Sequence, residues 1–236
     1  INKILVYGTN EYSKGSWSIY DTKSHQIEKL FETNPDYNKL QKGQFNIVKI
    51  KTEDNLTLEG YLVLPESLQK TQFPLVVIPH GGPIGVRDYA YNNDIQHFYA
   101  SQGIASLKVN YRGSSGYGKK FQESGKMEWG EKIESDINLM VSHVVNNFDI
   151  SEDKICSMGS SYGGYSAIML TILYPDRYQC AVSLAGVMDL PLMFTSSDFR
   201  LNEKAIEEVK EIVGDPEKVG PDLINRSPLY LVDKIS

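Results

Sequence analysis

The first quarter of the chain carries short runs of apolar and aromatic residues between polar segments. Short apolar runs are separated by polar turns, as at residues 21–24 between the second and third runs. Short apolar runs that are bounded by turn-forming residues predict strands joined as hairpins. After a polar linker at 32–43, two further runs predict another pair of strands. The five predicted strands are 4–7, 17–20, 26–30, 45–51 and 56–64.

From residue 73 onwards the pattern changes, because segments with helical spacing now separate short continuous apolar runs. Continuous apolar runs of this kind are typical of strands that are buried on both faces. Their regular alternation with helices predicts an α/β fold, in which helices cover both faces of a mostly parallel sheet. The predicted strands are 75–78, 104–109, 155–158 and 181–184, and the predicted helices are 95–103, 131–147 and 161–173.

The C-terminal part of the chain shows two further helical signals. Residues 203–213 have helical spacing, and Gly214 with Pro216 beyond it predicts the end of that helix. Ser227 and Pro228 are the residue types of an N-cap and a first helical position, so they predict a second, short helix.

The composition places the chain among ordinary globular proteins and limits the classes of partner that it is expected to bind. Of its 236 residues, 41% are hydrophobic and 23% are charged, and the net charge is −6. The length fits one α/β domain with a sizeable core. The acidic balance disfavours nucleic acids and anionic membrane surfaces as partners, and no apolar run is long enough to span a bilayer. We expect a cytoplasmic protein, with formation of a homo-oligomer left open.

The two cysteines, Cys156 and Cys180, lie in apolar runs and lack the spacing of a metal-binding pair. We interpret them as buried, small hydrophobic residues, because no other metal ligands and no further cysteines accompany them. Neither a metal site nor a disulfide is expected. The chain also lacks the lysine of a phosphate-binding loop and the glycine pattern of a dinucleotide-binding turn, so no cofactor is predicted.

Residues 159–163 read Gly-Ser-Ser-Tyr-Gly and match the G-x-S-x-G pattern of a nucleophile elbow. In such an elbow the serine lies on a strained turn between a strand and a helix. The residues two before and two after it approach neighbouring backbone so closely that only glycine or an equally small residue fits. The register selects Ser161 over Ser160 as the nucleophile. Chance produces this pattern in roughly one chain of this length in ten, so the predicted strand and helix around it strengthen the assignment.

A His-Gly-Gly-Pro turn at residues 80–83 directly follows the apolar run 75–78. Acyl transfer needs two N–H groups directed at the oxyanion of the tetrahedral intermediate, and each is worth about 3–4 kcal/mol. In this fold one N–H comes from the residue after the nucleophile, here Tyr162, and the other from the loop after an earlier strand. By itself the motif would be a tight turn, but together with the elbow it indicates an oxyanion hole.

The base and the acid of a catalytic triad are missing from the expected part of the sequence. In α/β-hydrolases the order along the chain is serine, then acid, then histidine. The four histidines are His25, His80, His97 and His143. All precede Ser161, so none is assigned as the base, and His97 is interpreted as a residue on a helix face. No aspartate after Ser161 follows a convincing buried strand, so no acid is assigned either.

Together these motifs make the chain resemble the prolyl oligopeptidase family of serine peptidases, especially its acylaminoacyl-peptidase-like branch. The resemblance runs from about residue 45 to the end. It rests on the segments 80–83, 110–118, 129–130 with Asp136, 159–165 and 225–228. It implies Ser161 as the nucleophile and the backbone N–H groups of Gly82 and Tyr162 as oxyanion donors. It also implies that the acid and the base lie beyond Ser236, so that this chain alone is expected to be inactive.

Residues 1–30 resemble the last strands of the β-propeller that precedes the hydrolase domain in this family. The strand at 17–20 and the turn at Asp21 are the main support for this resemblance. We therefore divide the chain into the end of a propeller-like domain with a linker, 1–40, and an α/β-hydrolase domain, 41–236. The second domain is expected to be incomplete at its C-terminus.

Three functions remain open at this point. The first is a serine peptidase that cleaves short peptides through an acyl-enzyme on Ser161. The second is a serine esterase with the same site, and the third is an α/β-hydrolase fold that only binds a ligand. An intact serine and oxyanion turn argue against the third, because neither has a role in binding alone. The propeller-like start favours the peptidase, because a propeller restricts entry to short peptides.

Overall fold

The first three strands form a small antiparallel sheet that is separate from the main one. The computed structural model describes residues 2–66, 72–91, 93–195 and 203–235. The small sheet consists, in this order, of β1 (Lys3–Asn10), β2 (Ser13–Asp21) and β3 (Ile27–Glu32). The Asp21 carboxylate accepts the N–H groups of Lys23 and Ser24, which closes the turn between β2 and β3. The three strands predicted for this part of the chain are confirmed.

The main sheet has six strands and carries an antiparallel pair at one edge. Its strands are β4 (Gln44–Lys51), β5 (Thr57–Leu64), β6 (Phe73–Val77), β7 (Ala105–Asn110), β8 (Ile150–Ser160) and β9 (Tyr178–Leu184). Their order across the sheet is β4-β5-β7-β6-β8-β9. β4 pairs antiparallel with β5, and β5 with β7, whereas β7, β6, β8 and β9 run parallel. The continuous apolar runs thus form the parallel part of the sheet, as predicted.

The described residues form seven α-helices. They are α1 (Asp94–Ser101), α2 (Lys119–Glu123), α3 (Lys132–Asn147), α4 (Tyr162–Leu173), α5 (Leu192–Thr195), α6 (Glu203–Val213) and α7 (Pro216–Asn225). Short 3-10 helices lie at Pro35–Lys39, Pro228–Tyr230 and Val232–Lys234. α4 is buried on nearly all sides, because β8, β9 and α3 enclose it. Across the ranges that the structure describes, no helix has the length and apolar character needed to cross a membrane.

Helices cover both faces of the main sheet, as two contacts of neighbouring β8 residues demonstrate. Ser157 donates its hydroxyl to Ala167 O of α4 at 2.8 Å, whereas Tyr99 of α1 donates its hydroxyl to Met158 Sδ at 3.1 Å. Successive residues of a strand point to opposite faces, so α1 and α4 lie on opposite sides of the sheet. The hydrophobic core fills the space between the sheet and its helices. This architecture confirms the predicted α/β-hydrolase fold class.

Three helices differ from the prediction, and one of them, α5, is a single turn for which no helix was predicted. α2 lies directly after the glycine-rich loop at 113–118 and carried no clear sequence signal. α7 begins at Pro216, the residue that was expected to mark the end of α6. The Asp215 carboxylate accepts the N–H of Glu217, and the proline takes the first helical position, where its missing N–H costs no hydrogen bond. The same proline therefore ends one helix and starts the next.

The prediction that the two cysteines are unpaired is wrong, because a disulfide joins Cys156 to Cys180. Cys156 of β8 and Cys180 of β9 are directly opposite each other in the parallel pairing, with their Cα atoms 4.7 Å apart. Twenty-four positions and the whole of α4 separate them along the chain, so the sequence did not indicate that they are neighbours. The bond ties the strand that leads into Ser161 to the last strand of the sheet.

His97 lies on α1, as predicted, but its ring is buried at the contact between the small sheet and the main sheet. Its Nδ1 accepts the N–H of Gly43 at 3.1 Å, and its Nε2 donates to Glu11 O at 2.9 Å. Burial lowers the pKa of His97, which keeps the ring neutral and able to accept one bond while it donates the other. An ion pair of 2.9 Å between Lys14 and Asp94 reinforces this contact.

Candidate active site

The Gly-Ser-Ser-Tyr-Gly segment forms a sharp turn between β8 and α4. Ser161 has φ 57° and ψ −124°, a conformation that is rare for a residue with a side chain. Its N–H donates to Leu184 O at 2.9 Å, and its carbonyl accepts the N–H groups of Gly164 and Tyr165. These bonds hold the strained residue at the tip of the turn. The predicted elbow geometry is therefore confirmed.

Two glycines make this turn sterically possible. A Cβ atom on Gly159 would lie 2.2 Å from the carbonyl oxygen of Gly163. A Cβ atom on Gly163 would lie 2.2 Å from the carbonyl oxygen of Pro79. Both obstructing atoms belong to the backbone, so no side-chain rotation can relieve the overlap. The glycine spacing of the motif is therefore a packing requirement, and Gly163 packs directly against the segment that follows β6.

The His-Gly-Gly-Pro turn lies beside the elbow, at the carboxyl end of the parallel strands. A Cβ atom on Gly81 would lie 3.4 Å from Ser160 O and 3.7 Å from Ser161 Cβ, which are ordinary contact distances. The turn and the elbow are thus in direct contact, although almost eighty residues separate them along the chain. An arrangement with the two motifs at opposite ends of the sheet, which would have excluded an oxyanion hole, is not observed.

The two backbone groups predicted as oxyanion donors belong to these two segments. Gly82 has φ 126° and precedes a cis peptide bond to Pro83. Tyr162 is the first residue of α4, and the N–H of a first helical residue has no acceptor within its own helix. The structure therefore brings the predicted site residues Ser161, Gly82 and Tyr162 into one region at the carboxyl end of the parallel strands.

His80 is held within the turn by aromatic and polar contacts. Its ring stacks on Tyr111 with the centroids 4.2 Å apart, and its Nε2 lies 3.0 Å from Ser114 Oγ. Tyr111 also donates its hydroxyl to His80 O at 2.7 Å. Burial lowers the pKa of His80, so the ring is held in its neutral form. These contacts attach the turn to the loop after β7 and give the ring a structural role.

A buried ion pair between Arg112 and Asp136 holds the loop after β7 in place. Both residues belong to the motifs that carry the family resemblance. Arg112 donates through Nε and Nη2 to the two carboxylate oxygens of Asp136, at 2.8 Å each, and its backbone N–H donates to the same group at 3.0 Å. A second carboxylate, on Asp54, accepts from Arg112 Nη1 at 3.1 Å. Burial raises the pKa of Asp136, and the guanidinium opposes that effect. The loop that supports His80 is thereby anchored to α3.

A buried carboxylate lies beneath the elbow and was not predicted from the sequence. Glu134, in the first turn of α3, accepts the Tyr162 hydroxyl at 2.8 Å through Oε1 and the Gly130 N–H at 2.8 Å through Oε2. Its side chain is completely buried, and burial raises the pKa of Glu134 to about 7 in spite of these hydrogen bonds. A glutamate in the first turn of an amphipathic helix normally faces water, so the sequence pattern carried no signal of this arrangement.

No base for Ser161 is found within the described ranges. None of the hydrogen bonds of residues 2–66, 72–91, 93–195 and 203–235 joins a histidine to the Ser161 hydroxyl. His25 contacts Tyr20 in the small sheet, and His143 contacts Asn147 on α3. The expectation that the triad base and acid lie beyond Ser236 stays a prediction.

Fold and site together define a class of protein. A mostly parallel sheet with helices on both faces, a strained serine between a strand and a helix, and a glycine turn beside it form the arrangement of an α/β-hydrolase. The chain belongs to the prolyl oligopeptidase family, whose family model matches residues 90–218. The family predicted from the sequence motifs is therefore confirmed.

Individual relatives agree with this assignment. The chain is 33% identical over 226 residues to dipeptidyl aminopeptidase BIII of Pseudoxanthomonas mexicana, which covers 92% of this chain and 32% of that protein. It is 33% identical over 144 residues to the acylamino-acid-releasing enzyme of Sus scrofa, which covers 61% of this chain and 20% of the relative. A solved puromycin-hydrolyzing peptidase of Mycobacterium tuberculosis has the same fold, with a TM-score of 0.86 at 21% identity over 99% of this chain and 36% of that one. The chain spans about a third of the length of the two relatives that align over most of it.

Proposed function

We propose that this chain supplies the nucleophile and the oxyanion hole of a serine peptidase that cleaves short peptides. The observation that carries the proposal is the strained Ser161 in direct contact with the glycine turn at 80–83. Both features are needed for acyl transfer and neither is needed for binding alone. The relatives named as peptidases support the choice of a peptide bond as the target.

The proposed reaction proceeds through an acyl-enzyme. Ser161 Oγ attacks the carbonyl carbon of the scissile peptide bond while its proton passes to a histidine base. The carbonyl oxygen becomes an oxyanion, which accepts hydrogen bonds from the N–H groups of Gly82 and Tyr162. The C–N bond then breaks, the amine leaves with the proton, and an ester on Ser161 remains. A water molecule, activated by the same base, hydrolyses the ester and restores the serine.

The histidine base and the acid that orients it are proposed to follow Ser236 in the chain. This order is the one that α/β-hydrolases use, and the four histidines of the present sequence all precede the nucleophile. We also propose that residues 1–40 form the end of a propeller-like domain and residues 41–236 part of the hydrolase domain. The separate three-stranded sheet supports this division, and a propeller would limit substrates to short peptides.

An esterase with the same site is the second candidate, because esters as well as amides can form an acyl-enzyme on serine. The test uses the full-length protein with aminoacyl, dipeptidyl and acylaminoacyl nitroanilides beside the matching nitrophenyl esters. A peptidase is expected to turn over at least one nitroanilide, and Ser161→Ala is expected to abolish that turnover. Turnover of esters alone would favour the esterase, and no Ser161-dependent turnover of any substrate would favour a binding protein.

The remaining expectations concern partners and compartment. We propose peptides and not nucleic acids as ligands, a choice that the net charge of −6 supports. The Cys156–Cys180 disulfide weighs against the expected cytoplasmic location, because such bonds persist mainly in oxidising compartments. Thiol labelling of the protein isolated from fractionated cells distinguishes the two locations. Homo-oligomer formation is to be measured by light scattering of the full-length protein.

A further inference from the structure

An oxyanion hole works only if its donors are held in place before the reaction begins. Tyr162 has to hold its N–H in position although it directly follows the strained Ser161. Its side chain points away from the site into the core and is almost completely buried. The Trp129 and Tyr162 rings pack in a T-shaped arrangement with their centroids 4.4 Å apart, and the Tyr162 hydroxyl donates to Glu134.

Glu134 connects this tyrosine to a second backbone segment. While Oε1 accepts the Tyr162 hydroxyl, Oε2 accepts the N–H of Gly130. Gly130 has φ 74°, and a Cβ atom on it would lie 2.8 Å from the Tyr165 hydroxyl, so the turn that carries it is tightly confined. The carboxylate therefore joins the start of α4 to the turn before α3 through two hydrogen bonds of 2.8 Å.

Stability alone is a poor explanation for this group. A buried carboxylate is costly unless it is paired with a cation, and none of the ion pairs in the described part of the chain involves Glu134. An apolar residue of similar volume would avoid the cost of burying a charge, but it would leave the Tyr162 hydroxyl and the Gly130 N–H without an acceptor. A carboxylate, in contrast, can accept the tyrosine hydroxyl and the glycine N–H at the same time. The carboxylate of Glu134 therefore differs from an apolar residue in that it fixes the position of Tyr162.

We propose that Glu134 is a positioning residue that holds the oxyanion-binding N–H of Tyr162 in place through the tyrosine hydroxyl. This inference rests on the proposed function, because it assigns support to the same oxyanion hole. Glu134 does not touch the substrate. It acts through Tyr162. Its loss is therefore expected to reduce the stabilisation of the transition state far more than it reduces the affinity for substrate.

Tyr165 provides a matched control. It lies one turn further along α4 and is as deeply buried as Tyr162, but its hydroxyl donates to Arg226 O at 2.8 Å and not to Glu134. Tyr165→Phe thus removes a buried hydroxyl bond of the same kind from the same helix without touching the connection between Glu134 and Tyr162. A merely structural role of Glu134 predicts the same kinetic effect for Tyr162→Phe and Tyr165→Phe.

The experiment compares Tyr162→Phe, Glu134→Gln, the double variant and Tyr165→Phe in the full-length protein. Tyr162→Phe and Glu134→Gln are each expected to lower kcat on a peptidyl nitroanilide by about ten- to hundredfold, with KM changed less than about threefold. The inhibition constant of a peptide aldehyde, which places an oxyanion in the hole, is expected to rise by the same factor. A glutamine amide has a single acceptor oxygen and cannot serve the Tyr162 hydroxyl and the Gly130 N–H together, so both changes disrupt the same connection and the double variant is expected to lose no more than the worse single variant. Tyr165→Phe is expected to keep kcat within about threefold of the parent protein.

Three results would overturn the proposal. They are an unchanged kcat in Tyr162→Phe, fully additive losses in the double variant, and an equal loss of kcat in Tyr165→Phe. If Glu134→Gln fails to fold, Tyr162→Phe with its aldehyde inhibition constant still decides the question. Ser161→Ala in the same assay distinguishes a failure of the proposed function from a failure of the proposed role of Glu134. If the parent activity survives that change, the proposed function itself fails, whereas a Ser161-dependent activity that ignores Tyr162→Phe refutes only the role of Glu134.

Discussion

Single backbone positions, and not only reactive side chains, decide whether this site can form. Ser161 adopts its rare conformation because Gly159 and Gly163 leave room for the turn. The oxyanion turn depends on the same space, because the carbonyl of Pro79 occupies the volume that a Cβ atom on Gly163 would need. The elbow that carries Ser161 and the turn beside it are therefore coupled through Gly163.

Gly163→Ala is expected to destabilise the protein and to separate the elbow from the oxyanion turn. Its methyl group would overlap backbone atoms at 2.2 Å, and relief requires the two segments to move apart. We expect a loss of about 2–3 kcal/mol in the free energy of unfolding, as for other overpacked sites, measured by urea denaturation. Gly8→Ala is the control, because a Cβ atom there would have no neighbour within 4 Å. Equal stability of the two variants would show that the close contact at Gly163 is not real.

The buried carboxylate makes stability depend on pH in a predictable direction. Burial raises the pKa of Glu134 from 4.5 to about 7, so the folded protein binds this proton more tightly than the unfolded chain does. The contribution of Glu134 is therefore fully present below about pH 4.5 and is lost as the pH rises to about 7. We expect the unfolding free energy of the parent protein, relative to Glu134→Gln, to fall by about 3 kcal/mol across that window. A difference that stays constant with pH would contradict the raised pKa.

At the scale of elements, the disulfide connects two strands that the elbow and its helix separate. Cys156 and Cys180 enclose the end of β8, the elbow and all of α4. A crosslink of this kind restricts the unfolded chain, and for a loop of this length the expected gain is about 3 kcal/mol. The double variant Cys156→Ala/Cys180→Ala is expected to unfold at correspondingly lower urea concentration. The parent protein should match it when reduced; unchanged stability on reduction would contradict the pairing.

The secondary-structure elements also show how much of the fold could be predicted from the sequence. All strands of both sheets and the helices α1, α3, α4 and α6 follow from local patterns of apolar residues, with boundaries within a few positions. Pro216 was misjudged because proline both ends and begins helices, and only the cap by Asp215 distinguishes the two. The pairing of Cys156 with Cys180 depends on strand order, and the burial of Glu134 depends on packing between helices. Neither is encoded in a local pattern.

The site residues likewise divide into those that could be predicted from the sequence and those that could not. Ser161 and the glycine turn at 80–83 could be predicted, because their chemistry requires fixed residue types at fixed spacing. Glu134, His97 and the partners of Arg112 could not, because their roles arise where segments distant in sequence come together. Sequence motifs therefore indicated the proposed reacting groups, while the structure was needed to find the residues that support them.

At the scale of the whole molecule, the chain carries the proposed nucleophile and oxyanion turn, and its four histidines all precede Ser161. It contains the elbow and the oxyanion turn, and no hydrogen bond of the described residues links Ser161 to a base. A serine hydroxyl is a poor nucleophile at neutral pH without an adjacent base. Residues 1–236 alone are therefore expected to give no appreciable turnover of nitroanilide or nitrophenyl ester substrates. A longer chain that carries the downstream acid and histidine should be active, and Ser161-dependent turnover by the short chain would contradict this account.

The most direct test of the central claim is to identify the residue that forms the covalent intermediate. The full-length protein is treated with a fluorophosphonate, which reacts with activated serine nucleophiles, and the modified peptide is located by tandem mass spectrometry. We predict one adduct per chain, on Ser161, together with complete loss of peptidase activity, and no adduct in the Ser161→Ala variant. An adduct on another residue, or an enzyme that stays active while Ser161 is fully modified, would contradict the assignment of Ser161 as the nucleophile.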